Sequence, residues 1–251
     1  MKALGFVPLR KGSKGIPGKN KRKMLGRPLF CWVLTEAIFS KLDEVIVFTD
    51  DTEIIEFVEN QFSWTSKVKA ILRSEKSADD IASTESAILE YCEKVAYDFD
   101  IFCLLQATSP FTKVSDINAG LLKIEEGADA SLSVVKTHRF IWNQKGESIN
   151  YEYANRPRRQ DFKGLLVENG AVYCTTKKAL QISKNRISGN IVPFEMPEIS
   201  YTEIDSEADW ITVENLLATN LRKRKVNSKI THLVLDVDGV LTDGGIILDE
   251  N

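Results

Sequence analysis

Residues 3–20 run ALGFVPL (3–9) straight into RKGSKGIPGKN (10–20). The first segment is apolar throughout, as a strand covered on both faces tends to be. The second holds three glycines, and from Arg10 to Lys23 there are seven Lys or Arg and no acidic residue. The whole chain carries a net charge of −3, so this positive charge is concentrated in one place rather than spread by composition. After it, PLFCWVLTEAIF (28–39) has the pattern of an amphipathic helix. Strand, basic glycine loop and helix in that order begin an α/β sheet, and such sheets bind ligands beyond the carboxyl ends of their strands.

The same alternation continues. Strands are predicted at 3–9, 44–50, 68–72, 101–106, 130–135 and 170–176, and helices at 28–39, 51–61, 84–97, 115–125, 177–184 and 207–221. Asp50 or Asp51 is placed to cap the second helix and Ser115 the fourth. The expected fold is an α/β domain with a mainly parallel sheet between layers of helix. Residues 138–169 break the rhythm with the polar and aromatic NQKGESINYEYANRPRRQD, and read as an insertion or arm. LRKRKVNSK (221–229) reads as a linker before a further apolar strand, THLVLDVDG.

Composition narrows the chemistry. With 251 residues and 43% hydrophobic content, the chain can build one large domain, or one domain and a fragment. No apolar run approaches the ~18 residues of a membrane span, and MKALGFVPL lacks the features of a signal peptide. Cys31, Cys92, Cys103 and Cys174 lie far apart in apolar stretches, as buried free thiols do. Two histidines, His138 and His232, are too few for a His-rich metal site, so any metal is expected among oxygens, which favours Mg²⁺.

Glycine lets a backbone approach a ligand closely while Lys and Arg neutralise it, which suits an oligophosphate. The loop has neither the GxxxxGK[ST] nor the GxGxxG spacing. A solvated basic loop, or a nucleic-acid contact, is the alternative on charge alone; the acidic overall balance argues against the latter.

Five segments in order carry a resemblance. LRKGSKGIPGKN (9–20), LRSEKSADDIASTES (72–86), LLQATSPF (104–111), RRQDFKGLLVENGAVY (158–173) and EIDSEADW (203–210) resemble the motifs of the N-acylneuraminate cytidylyltransferases, the CMP-sialic acid synthetases. Leu9 stands where that family has a small residue, and Phe111 replaces an Arg-containing end. The similarity spans about 1–220 and implies a three-layer Rossmann-like nucleotidyltransferase domain with a dimerisation arm. It implies transfer of CMP from CTP to the anomeric hydroxyl of a nine-carbon 2-keto sugar acid, with Mg²⁺ or Mn²⁺, by a cytoplasmic homodimer. The closest rivals are other 2-keto-3-deoxy sugar acids of legionaminic, pseudaminic or octulosonate type.

Carried over by position, Arg10 and Lys19 hold the phosphates, and Ser13 and Asn20 add hydrogen bonds. Lys11, Lys14, Lys21, Arg22 and Lys23 supply supporting field. Arg73, Ala82, Ser83 and Thr84 match the cytosine-reading positions; the two hydroxyls could equally cap a helix. Gln106, Arg159, Asn169 and Tyr173 are assigned to the sugar acid, with Tyr173 alternatively core. Arg159 offers the planar fork that binds a carboxylate. Asp205 and Glu203 are the metal-ligand candidates, two apart and so on one side of an extended segment. The alternative reading is an acidic helix start, which the helix dipole favours.

LVLDVDGVLTDGG (233–245) resembles the first motif of haloacid dehalogenase-type phosphatases, with Asp236 as nucleophile and Asp238 as acid/base. The sequence ends 13 residues after Asp238, ahead of the other motifs such an enzyme needs. The expected organisation is a cytidylyltransferase domain over 1–225 and a linker plus truncated phosphatase start over 226–251, inactive as a phosphatase.

Overall fold

Side chains of β1 (Ala3–Leu9) alternate between two cores: Ala3, Val7 and Leu9 face one, Leu4 and Phe6 the other. That period of two is the signature of a strand with cover on both sides. The structure, a computed structural model, describes residues 1–13, 15–79 and 81–223. The phosphatase-like tail, with Asp236 and Asp238, lies outside the described residues, as do Lys14 and the predicted linker from 224 on; residues 221–223 of that linker instead continue the last described helix.

After β1 a short hairpin, β2 (Lys23–Met24) and β3 (Arg27–Pro28), leads into α1 (Phe30–Phe39). Then come β4 (Glu44–Thr49), α2 (Thr52–Gln61), β5 (Val68–Leu72), the short α3 (Glu75–Ala78) and α4 (Thr84–Lys94). The second half has β6 (Ile101–Leu105), α5 (Val114–Glu125), β7 (Ala130–Thr137), β8 (Leu165–Thr176), α6 (Lys177–Ser183), β9 (Ile191–Glu195) and α7 (Glu207–Lys223). The seven-stranded sheet has the order β5-β4-β1-β6-β8-β7-β9. Neighbours are parallel except where β8 pairs with β6 and β7.

One core packs α1, α2 and α5 on one face of the sheet, through Phe30, Ile54, Val58, Ile117 and Leu121. The other packs α4 and α6 on the opposite face, through Ala87, Ile88, Tyr91 and Leu180, with Phe6, Phe48 and Phe102 beneath. Three layers follow. A third, separate cluster joins Ile16, Met24, Leu29, Trp32, Phe111, Ile204 and Trp210, so the basic loop has an apolar core of its own.

The predicted elements are present with small shifts at their ends. Asp51 caps α2, accepting from the Glu53 N–H at 3.1 Å. Ser115 does not cap α5: Lys113 holds the N-cap position, and Asp116 reaches back to its backbone N–H at 2.9 Å. All four cysteines are free and buried, and burial pushes the Cys31 and Cys92 thiols up to about 12. The arm is shorter than expected, covering 138–164, because residues from Leu165 on already pair with β7. Among the described residues, no helix is long and apolar enough to cross a membrane.

Candidate nucleotide site

The basic loop leaves β1 at its carboxyl end and is pinned in four ways. Gly18, at φ +63°, makes a turn whose carbonyl accepts from the Lys21 and Arg22 N–H groups, both at 3.0 Å. A side chain on Gly15 would overlap the Asp205 carbonyl oxygen, so only glycine lets the loop lie on segment 203–205. Ile16 is fully buried in the third cluster. The Asn20 side chain donates to the Arg10 carbonyl at 3.0 Å, closing the loop on itself.

Its charges then divide. Lys21 pairs with Asp51 (2.9 Å) and Glu53 (2.7 Å) at the start of α2. Arg22 pairs with Glu207 (2.6 Å) and lies 4.3 Å over the Trp210 ring, at the start of α7. These cations fasten the loop to two helix N-termini. Lys19 is only 13% exposed; its Nζ donates to the Ile204 carbonyl at 2.6 Å and lies 3.4 Å from Asp205 Oδ1.

Above the ends of β1, β5 and β6 lies a cavity of about 300 Å³. Arg10, Ser13, Lys19 and Asn20 line one side, and Arg73, Ala82, Ser83 and Thr84 another, with Gln106 at the mouth of the loop after β6. All eight residues assigned to the nucleotide therefore meet in one place, although Arg10 and Thr84 are 74 residues apart in sequence. Pro8, Gly12, Ser77, Asp79, Ala87, Ala107 and Thr108 also line it; the sequence reading assigned them no role, although five lie within the motifs it quoted and Pro8 and Ala87 adjoin them.

Arg73 is 8% exposed and serves as a strut. Its guanidinium donates to the Leu9 carbonyl (3.5 Å), the Ser77 hydroxyl (3.3 Å) and the Ser77 carbonyl, joining the end of β1 to α3. Burial lowers its pKa, while Asp50 and Glu90 favour its charge. Ser83 caps α4, accepting from the Ser86 N–H at 3.2 Å. It fills the capping role and still borders the cavity.

The acidic segment sits beside Lys19. Gly170, at φ +68°, lies in a β8 bulge, and a Cβ there would come 2.5 Å from Glu203 Oε1, so Glu203 rests on bare backbone. Crowding by the protein, then the neighbouring Asp205 and Glu168 carboxylates, raise the Glu203 pKa, while Lys19 opposes the rise. Asp209 accepts from the Ser206 N–H (2.8 Å) and hydroxyl (2.7 Å), hydrogen bonds that lower its pKa and cap α7. Among the described residues, no group of three His, Cys, Asp or Glu side chains is arranged to hold a metal. Two carboxylates remain, Glu203 and Asp205.

Two of the residues assigned to the sugar acid lie inside the fold, Tyr173 in the core position that was its alternative reading. Asn169 is 1% exposed; it accepts from Ser133 at 2.7 Å and donates to Ser200 Oγ at 3.0 Å, so its polar atoms are spent inside the fold. Tyr173 is 4% exposed, packs in the α4-side core and donates its hydroxyl to Glu168. Burial, and then Glu168, raise its pKa. Neither lines the cavity.

Arg159 stands elsewhere. It shares a second cavity, of about 500 Å³, with Thr137, His138, Arg139, Phe140, Arg156 and Glu198. Phe140 packs at a tilt against Tyr151 (4.3 Å) and Phe162 (5.2 Å), and Arg156 lies 4.5 Å over the Phe140 ring. Ala171 bonds to Gln106 and Leu165 pairs with Thr137. At about 3.4 Å of rise per residue, those two positions on β8 are on the order of 20 Å apart along the strand.

The sequence profile described as Cytidylyltransferase matches residues 4–212. The chain belongs to this family. It is 36% identical to N-acylneuraminate cytidylyltransferase B of Danio rerio, over 97% of this chain and 58% of that one. It thus spans 58% of the length of that relative. CMP-N,N'-diacetyllegionaminic acid synthase of Legionella pneumophila is 28% identical, over 88% of this chain and 98% of its own. In fold, the chain is similar to the structure of CMP:2-keto-3-deoxy-manno-octonic acid synthetase complexed with CTP, at a TM-score of 0.65 and 21% identity. That likeness covers 88% of this chain and 100% of the other, and it concerns architecture.

Proposed function

We propose that this cytidylyltransferase-family chain transfers CMP from CTP to the anomeric hydroxyl of a sialic-acid-type nine-carbon 2-keto sugar acid, releasing pyrophosphate. The observation that carries the reading is the cavity at the end of β1, lined together by the basic loop and the cytosine-reading positions. Phosphoryl-type transfer is accomplished mainly by positioning and charge neutralisation, and this site offers both. Arg10 and Lys19 hold the triphosphate and neutralise the leaving pyrophosphate. Ser13 and Asn20 orient it. Ala82, Ser83 and Thr84 read the base, with Arg73 fixing the wall behind them. Gln106 can donate and accept, and so positions the attacking hydroxyl.

Glu203 and Asp205 fit Mg²⁺, which is commonly held by one or two carboxylates together with substrate phosphates; Mn²⁺ is an alternative. Held there, such an ion would supply further neutralisation of the triphosphate's charge. Lys19 beside Asp205 keeps the protein's cation close to that same charge.

Arg159 binds the sugar-acid carboxylate, and the arm over 138–164 acts within a homodimer. The separation between its basic cavity and Gln106 supports an arm that serves the partner subunit's site. Residues 1–225 form the cytidylyltransferase domain, and 226–251 begin a phosphatase-like domain; the alignment to the Danio rerio relative takes in 97% of the chain and so runs into that tail. The compartment that suits this reading is the cytoplasm. A second reading, supported by the name of the Legionella pneumophila relative, replaces the acceptor with a legionaminic-type acid.

Pyrophosphate release with CTP and Mg²⁺ across a panel of these acids tests both. Release with N-acetylneuraminate is expected; release with a legionaminic-type acid alone selects the second reading, and release with none rejects both.

A further inference from the structure

Arg186 lies between α6 and β9, away from the lining of the nucleotide cavity. Its Nε donates to Glu85 Oε1 at 2.6 Å, and the two side chains are only 21% and 22% exposed. Its guanidinium also sits 5.1 Å from the centre of the Tyr173 ring, whose hydroxyl is engaged by Glu168. The fork is therefore held on one side by β8 and on the other by the first turn of α4.

That turn matters. Glu85 follows Ser83 and Thr84 directly and precedes Ala87 by two residues, and all three line the cavity. Burial works against the Glu85 charge, yet the hydrogen bond and charge of Arg186, with backbone contacts, lower its pKa. A partly buried ion pair cannot lose one partner without leaving the other poorly solvated. Removing Arg186 would force the Glu85 carboxylate toward water and turn the start of α4 with it.

We propose that Arg186 is a positioning residue for nucleotide selection: by clamping Glu85 against β8, it fixes the end of α4 that faces the pyrimidine. The inference rests on reading the cavity as the CTP site. Arg186 acts on the base end alone, because the phosphate end is organised by the basic loop, Ile204 and Asp205 through separate contacts. Loss of the clamp therefore weakens recognition of the base and leaves phosphate binding intact.

The test compares wild type with Arg186→Ala, Arg186→Lys, Glu85→Gln and the exchanged pair Glu85→Arg/Arg186→Glu. Calorimetry measures CTP and inorganic tripolyphosphate separately, and kinetics separate KM from kcat. Arg186→Ala is expected to raise the CTP dissociation constant and KM about tenfold, with kcat within about twofold and tripolyphosphate binding unchanged. Arg186→Lys and the exchanged pair are expected to recover part of the loss. If Arg186→Ala does not fold, Glu85→Gln carries the comparison. A folded variant with unchanged CTP affinity, or with CTP and tripolyphosphate weakened equally, overturns the role of Arg186 alone. Wild-type protein that binds no CTP overturns the cavity reading itself, and this inference with it.

Discussion

Two cationic cavities among the described residues are built in opposite ways. The nucleotide cavity is set on the carboxyl ends of central strands, and its walls are braced from behind. Ile16 anchors the basic loop, Arg73 ties β1 to α3, and Ser83 caps α4. The cavity around Arg159 lies on an arm that leaves the sheet, held by a tilted cluster of Phe140, Tyr151 and Phe162. Under the proposed function the contrast becomes a division of labour: a braced scaffold sets the reacting phosphates, and an arm supplies the acceptor's counter-charge.

Substitutions can break or sharpen that contrast. The largest effect is expected in the first cavity: Arg10→Ala and Lys19→Ala should each lower turnover at least ~100-fold without unfolding the protein, since both neutralise charge that grows during transfer. Steady-state kinetics with a thermal melt check this, and near-normal rates in both would remove the loop from the chemistry. Asp205→Asn should come next, raising the Mg²⁺ concentration needed for half-maximal rate sharply, with Glu203→Gln raising it less. A Mg²⁺ titration reads the order, and full activity in excess chelator would dismiss both carboxylates as ligands.

Arg159→Lys belongs to the second cavity. It should raise KM for the sugar acid about tenfold and leave that for CTP alone, because an ammonium cannot reproduce the bidentate fork. A change confined to CTP would mean that the two cavities are not divided as described. The smallest effect is expected from Arg22→Ala. Although it belongs to the same basic loop as Lys19, its partners Glu207 and Trp210 are structural and its ion pair is exposed. Turnover should stay within about threefold and stability fall by no more than about 1 kcal/mol. A loss as large as that of Lys19→Ala would show that the loop's charge acts as a block.

Much of this was legible in the sequence where one residue type has one physical use. Apolar runs between helical patterns gave the layers, and the glycine-rich basic loop marked the ligand end of β1. The direction of β8 was hidden, because a strand buried on both faces looks the same in either orientation. Pro193 concealed β9, since proline suits only edge positions, and β9 is an edge strand. The inward setting of Asn169 was hidden because the bulge at Gly170 alters which way β8 side chains face, and local spacing does not reveal a bulge; Tyr173 took the core place its aromatic ring also allowed. The roles of Lys21 and Arg22 depend on Glu53 and Glu207, partners brought close only by the fold.

The division between the two cavities is tested most directly by mixing two inactive variants, Lys19→Ala and Arg159→Ala, after dissociating and reassociating their subunits. If each arm completes the partner subunit's site, half of the randomly formed dimers hold one intact pairing. Activity should then return to about one quarter of wild type, as expected for a twofold-symmetric assembly. If the mixture stays as inactive as its parents, or if the protein sediments as a monomer at micromolar concentration, the arm does not serve a second subunit and the account of the two cavities is wrong.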